Sequence, residues 1–251
     1  MNQKSPKHQH GRMHWVILVA AVFIVMLATL TATVVINQES AEPVATAEEL
    51  RAAALASEHA PSIGDPNAPV HIVEFLDPAC ETCALFYPMV KSWLNEVPGK
   101  LRLSVRHVPF HRGSEHAVAA LEASREQGLY WETLEALLAS QNRWTRNHTV
   151  IPDQIEPAIA GVGLDMIKRR TDMDNCDIKV RMEQDPKDAV TLQIRATPQY
   201  FVNGRELVNF GQQQLLALVR DELAKAEQAD KPRKDSLFAA GLEVAARANL
   251  D

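Results

Sequence analysis

The sequence predicts an α/β fold with an all-helical insertion, preceded by one N-terminal transmembrane helix. Three observations carry that expectation. An uncharged apolar run covers residues 15–36, a strand–helix–strand pattern covers residues 70–108, and an Asn-Gly hairpin at residues 203–204 follows a long helical stretch. An apolar fraction of 46% beside 23% charged residues describes a chain able to bury a core and excludes a disordered one.

Trp15 to Ile36 offers 22 positions without a charge. As a helix it is roughly 33 Å long at about 1.5 Å per residue, enough for a hydrocarbon layer of about 30 Å. Lys4, Lys7 and Arg12 precede the run, and Glu39 and Glu42 follow it. The positive-inside bias then puts residues 1–14 in the cytoplasm and everything after Asn37 outside. A cleaved signal peptide is the competing reading, with Ala45-Thr46-Ala47 as a cleavage-like site, but its apolar region is usually only about 7–15 residues. Either reading exports the domain to a compartment where disulfides persist. His8, His10 and His14 are read as a polar flank, not a metal site.

Beyond the apolar run the chain is acidic. Its net charge of −6, less the three basic residues before the run, leaves −9, which argues against nucleic acid as a partner. Residues 37–62 read as a spacer, with Thr46-Ala47-Glu48-Glu49 as a capping box opening a short helix. The turn cluster Gly64-Asp65-Pro66-Asn67-Ala68-Pro69 marks a domain spanning residues 63–228. Val70–Leu76 reads as a buried strand, Cys80 to about Glu96 as a helix containing Pro88, and Leu101–Val108 as a second strand. Helical spacing of Ala117, Leu121, Leu134, Leu137 and Leu138 then predicts an insert over about 114–194, with Trp131 and Trp144 in its core. Two apolar runs around Asn203-Gly204 predict the hairpin. A final helix is expected over Gly211–Ala226, then a charged break at Asp230–Asp235 and a tail helix from Ser236, within a linker and tail of residues 229–251.

Chemistry is carried by Cys80 and Cys83. Cys80 lies where a strand runs into a helix, whose unpaired N–H groups and partial positive charge favour a thiolate. Thiol pKa values in such C-x-x-C sites fall to roughly 3.5–7.5. Cys83, one turn into the helix, is less exposed and close enough to resolve a mixed disulfide on Cys80. Half a zinc site is the first bland alternative, but Cys176 stands alone and no histidine follows His148. A static disulfide is the second, and so short a loop gains little from closure. Cys176 itself reads as a small buried apolar residue.

Phe75-Leu76-Asp77-Pro78-Ala79-Cys80-Glu81-Thr82-Cys83, Pro88, Glu74 and Ala196-Thr197-Pro198 stand in an order that resembles the thioredoxin superfamily, specifically its DsbA-like exported thiol-disulfide oxidoreductases. The resemblance covers roughly Ala60 to Ala226 and implies a thioredoxin-like fold. It implies that Pro198 is the cis-proline beside the dithiol and that Thr197 offers its backbone to an extended substrate peptide. It also implies that Glu74 is a buried acid serving Cys83. Alternation independently puts Glu74 on one strand face with Val70, Ile72 and Leu76, where desolvation raises a carboxyl pKa. Glu81-Thr82 replaces the Pro-His dipeptide of the strongly oxidising DsbA, and the Glu81 charge is expected to oppose thiolate formation on Cys80.

The resemblance further implies thiols and disulfides of exported proteins as substrates, no organic cofactor, and a redox partner in the bacterial inner membrane. That partner is either a quinone-linked DsbB-like protein or a DsbD-like electron donor. The residues are compatible with an oxidase and with a reductase or isomerase. A non-enzymatic tethered peptide-binding chaperone is the other reading.

Overall fold

The computed structural model describes residues 15, 17–27, 29 and 45–248, with side chains up to residue 230. The chain divides into two units, Met1–Ala47 and Glu48–Asp251. In the first unit the described residues 15, 17–27 and 29 are helical. The rest of the expected membrane span, and the flank bearing His8, His10 and His14, lie outside the described residues. Among the described residues no helix is long and apolar enough to cross a membrane.

The second unit is built on a five-stranded sheet in the order β1-β3-β2-β6-β7. These are β1 (Ser62–Gly64), β2 (Val70–Leu76), β3 (Leu101–His107), β6 (Gln199–Val202) and β7 (Arg205–Glu206). β2 and β3 run parallel, joined through the helix Glu81–Glu96, while β6 lies antiparallel to β2 on its other side. A parallel pair of this kind requires a crossover connection, which the helix Glu81–Glu96 provides.

Both faces of β2 are buried, which alternation alone expresses as two different cores. Val70, Ile72 and Leu76 pack with Cys80, Cys83, Phe86, Tyr200 and the insert residues Leu121, Leu134 and Trp144. Val73 and Phe75 pack on the opposite face with Ala54, Ala189, Leu192 and Phe201. The insert holds the helices Ser114–Arg125, Tyr130–Ala139, Gln141–Trp144, Ile155–Ile159, Met166–Asp172 and Cys176–Thr191.

Several expectations need correction. The insert is not all-helical, because β4 (Thr145–Arg146) and β5 (Thr149–Val150) form a small antiparallel hairpin. Its turn is Asn147-His148, both at positive φ, and lacks the Asn-Gly signature by which such turns are read. β1 escapes a pattern reading because three residues carry no alternation. The helix Ala47–Leu55 is no free spacer: Ala54 is buried and its carbonyl accepts from Arg106 Nη1 at 2.7 Å. The charged segment at residues 230–235 does not interrupt the last helix, which runs from Gln212 to Ala248. Lys, Arg and Asp are compatible with a helical backbone, and the helix continues through Pro232 despite the backbone donor and the steric freedom that a proline takes from it. Cys176 is exposed as the first residue of its helix, since Asn175 turns its side chain to cap Asp177 N and leaves Cys176 facing solvent.

Candidate active site

Cys80 is the N-cap of the helix Glu81–Glu96, with extended backbone angles and its carbonyl accepting from Ala84 N at 3.2 Å. No side chain caps this helix. The first-turn N–H groups of Cys83 and Thr82 are therefore free to point at the Cys80 sulfur. Both cysteines are reduced and buried, Cys80 with 6% and Cys83 with 0% of its surface exposed. The residual opening at Cys80 separates a sulfur that another molecule can touch from one it cannot.

Their acidities diverge accordingly. The Cys80 thiol is lowered to about 6, first by a hydrogen bond with the Cys83 thiol, then by backbone N–H groups and the Thr197 side chain, against an opposing burial effect. Burial and the Cys80 sulfur push Cys83 well above the ordinary thiol value, with the Glu74 charge adding to the rise. A single turn of helix thus holds one thiolate and one thiol at neutral pH. Thr82 contributes through its backbone N–H. The Glu81 carboxylate is exposed, and its Oε2 lies 3.3 Å from His148 Nδ1.

Glu74 is fully buried in the middle of β2. Burial pushes its carboxyl up to about 8, helped by the Cys80 charge and opposed by a hydrogen bond from Tyr200. Tyr200 lies directly opposite Glu74 in the β2–β6 register, and its hydroxyl donates to Oε1 at 2.8 Å. Oε2 has no partner among the described residues. A protonated acid beside Cys83 can give its proton to the Cys83 sulfur when that sulfur leaves as a thiolate, and the resulting carboxylate can take the proton back.

The Thr197-Pro198 peptide is cis, and the Thr197 carbonyl oxygen lies 3.2 Å from Cys80 Sγ, accepting from it when that thiol is protonated. Cys80, Cys83, Glu74, Thr197 and Pro198 therefore converge from β2, the active-site helix and the loop before β6. Pro88 stands inside the helix on its exposed side.

Three supporting residues carry no readable sequence signal. Asp77, wholly buried after β2, accepts from Ala79 N at 2.9 Å and from the Ser114 hydroxyl through one oxygen. Its other oxygen accepts from His111 N at 2.8 Å and pairs with His111 Nδ1 at 2.7 Å. Gln141 reaches across from the insert, its amide donating to Pro78 O at 2.7 Å and Cys80 O at 2.9 Å. The insert thereby fixes the loop that presents Cys80. Asp, His and Gln at these positions look like ordinary loop and helix residues until the fold brings them together.

Residues 56–221 match the sequence model of the family described as thioredoxin. A thioredoxin-like oxidoreductase from Silicibacter pomeroyi DSS-3 superposes with a TM-score of 0.60 at 26% identity, over 68% of this chain and 96% of that one. The α-DsbA1 of Wolbachia pipientis gives a TM-score of 0.60 at 20% identity, over 69% and 95%. BdbD from Bacillus subtilis gives 0.56 at 24%, over 66% and 93%. Among curated proteins, the Na(+)/H(+) antiporter NhaA of Herminiimonas arsenicoxydans is 31% identical over 144 residues, 57% of this chain and 22% of that protein. A probable disulfide bond formation protein D of Bacillus anthracis is 27% identical over 152 residues, 57% of this chain and 69% of that protein. The match thus spans about a fifth of the first curated relatives. The folded unit, with its helical insert between β3 and β6, has the architecture of the DsbA-like structures, and the chain belongs to the thioredoxin family.

Proposed function

We propose that this protein is a membrane-anchored thiol-disulfide oxidoreductase that exchanges disulfides with exported proteins in the bacterial periplasm. The contact between the Cys80 sulfur and the Thr197 carbonyl, above a fully buried Cys83, carries this reading. In the oxidising direction a substrate thiolate attacks Cys80 Sγ of the Cys80–Cys83 disulfide. The S–S bond breaks, Cys83 leaves with the electron pair, and Glu74 supplies its proton. A second substrate thiolate then attacks the substrate sulfur of the mixed disulfide and releases Cys80 as a thiolate. Run backwards, the same steps reduce a substrate disulfide. Thr197 and Pro198 dock the extended peptide beside Cys80, with main-chain bonds of the added-strand kind.

The anchor reading is supported by the uncharged run at residues 15–36 behind Lys4, Lys7 and Arg12. It leaves the N-terminus cytoplasmic and the dithiol periplasmic, within reach of a quinone-linked DsbB-like oxidant or a DsbD-like electron donor in the same membrane. The exchange needs no organic cofactor.

Two measurements on the purified protein test this. Cys80→Ala abolishes exchange with a model dithiol peptide, and exchange unchanged by that substitution contradicts the proposal. The reduction potential then assigns direction: a value near about −120 mV marks an oxidase and one near about −270 mV a reductase.

A further inference from the structure

A second chemical feature lies beside the dithiol and is not used by the exchange reaction. Glu81, His111 and His148 come from three separate segments: the first residue of the active-site helix, the loop after β3, and the turn between β4 and β5. One ligand atom from each lies within 4.8 Å of the others. His148 Nδ1 and Glu81 Oε2 are 3.3 Å apart, and the two imidazole rings stack at 5.8 Å with 29° between their planes.

Two independent features hold these donors in place. The first is Asp77, whose buried carboxylate engages Nδ1 and the backbone N–H of His111. With Nδ1–H donating to Asp77, the ring is fixed and Nε2 is the nitrogen left to ligate, which is how a carboxylate orients a metal-ligating histidine. The second is the backbone around His148. Val150 N donates to Arg112 O at 2.9 Å, and Arg112 and Thr149 form a β-bridge, so the hairpin carrying His148 is tied to the loop carrying His111. Gly113, at φ 82°, permits this close approach, because a Cβ there would stand 3.2 Å from Val150 Cβ.

We propose that Glu81, His111 and His148 bind a divalent transition cation of the zinc type at the mouth of the dithiol. Two imidazoles and one carboxylate suit zinc's borderline softness and leave a fourth position open to water. With metal–ligand bonds of about 2.0–2.2 Å, tetrahedral donors stand roughly 3.3–3.6 Å apart. The Glu81–His148 separation already meets that spacing, and His111 has only to close the remainder. This assignment goes beyond the exchange activity and uses neither thiol.

The test is calorimetric titration of the full-length protein with zinc chloride. Cys80→Ser and Cys83→Ser remove competing thiolates, and His8→Ala, His10→Ala and His14→Ala silence the N-terminal imidazoles. One zinc per chain is expected. His148→Ala, at an exposed turn, and Glu81→Gln, at an exposed carboxylate, should each weaken binding at least tenfold while leaving the circular dichroism spectrum unchanged. Absence of zinc uptake, or uptake of equal affinity in both variants, overturns the proposal and leaves the Glu81–His148 contact as a simple ion pair.

Discussion

Cys80 and Cys83 are chemically unlike although three positions apart, and the difference comes from position along one helix turn. Cys80 collects the N–H groups of the helix end, while Cys83 lies wholly inside the core against Glu74. Of the two dithiol cysteines, iodoacetamide should therefore modify Cys80 and spare Cys83, with a rate at Cys80 that rises through a midpoint near pH 6. Mass mapping of the alkylated protein against pH checks this, and a midpoint above 8 contradicts it. Glu74 makes the opposite contribution. In the unfolded chain it loses its proton near 4.5, whereas in the fold it keeps it to about 8, so stability falls as pH rises across that window. Glu74→Gln, neutral at every pH, should flatten the decline and raise the urea midpoint at pH 9 relative to wild type. Parallel loss in both proteins between pH 5 and 9 excludes this role. The burial of Glu74 was legible from strand alternation, because Val70, Ile72 and Leu76 declare the face. Its partner Tyr200 was not, since the pairing depends on the register across β2 and β6. The Glu81–His148 contact was hidden for the same reason: charge is visible in a sequence, but the direction of a side chain is not.

At the scale of elements, β2 and the active-site helix appear where periodicity and the strand–turn–helix pattern put them, as does the hairpin at Asn203-Gly204, whose two residues both adopt positive φ. These segments are legible because each carries a local cause. β1 and the β4–β5 hairpin are two or three residues long and owe their existence to neighbours. Gly64 shows how β1 is held: at φ 104° it brings the chain so close to β3 that a Cβ would lie 2.4 Å from Leu101 O. Gly64→Ala combines a strained backbone with that backbone clash. It should cost more than about 1 kcal/mol, read as a lower urea midpoint at unchanged m-value. An unchanged midpoint would show that β1 is not held as described. Asp77 and Gln141 act at the same scale, joining the loop before Cys80 to the helix Ser114–Arg125 and the insert helix Gln141–Trp144. Sequence separation hides such contacts.

For the folded unit as a whole, the sheet is a partition between two cores, and the second core has a charged residue within it. Arg106, fully buried on β3, lies 5.1 Å over the Phe75 ring and pairs with Asp185 and Asp188 of the helix Cys176–Thr191. Asp185 also accepts from His107 N at 2.7 Å and pairs with His59 Nε2 at 2.7 Å. One guanidinium thus ties the sheet to both the insert and the helix Ala47–Leu55. Arg106→Ala leaves buried carboxylates uncompensated and should cost about 3–5 kcal/mol, measured by urea unfolding, with a loss below about 1 kcal/mol contradicting the role. No periodicity announces this residue, which reads as one more solvated charge on a strand. In the exchange proposed above the two sulfurs react in order, Cys80 first and Cys83 second, and trapping tests that order most directly. Cys83→Ala should leave Cys80 in mixed disulfides with exported proteins, recoverable after acid quenching and absent when Cys80→Ala is added. Failure to recover any such adduct, or recovery that does not depend on Cys80, would contradict the account.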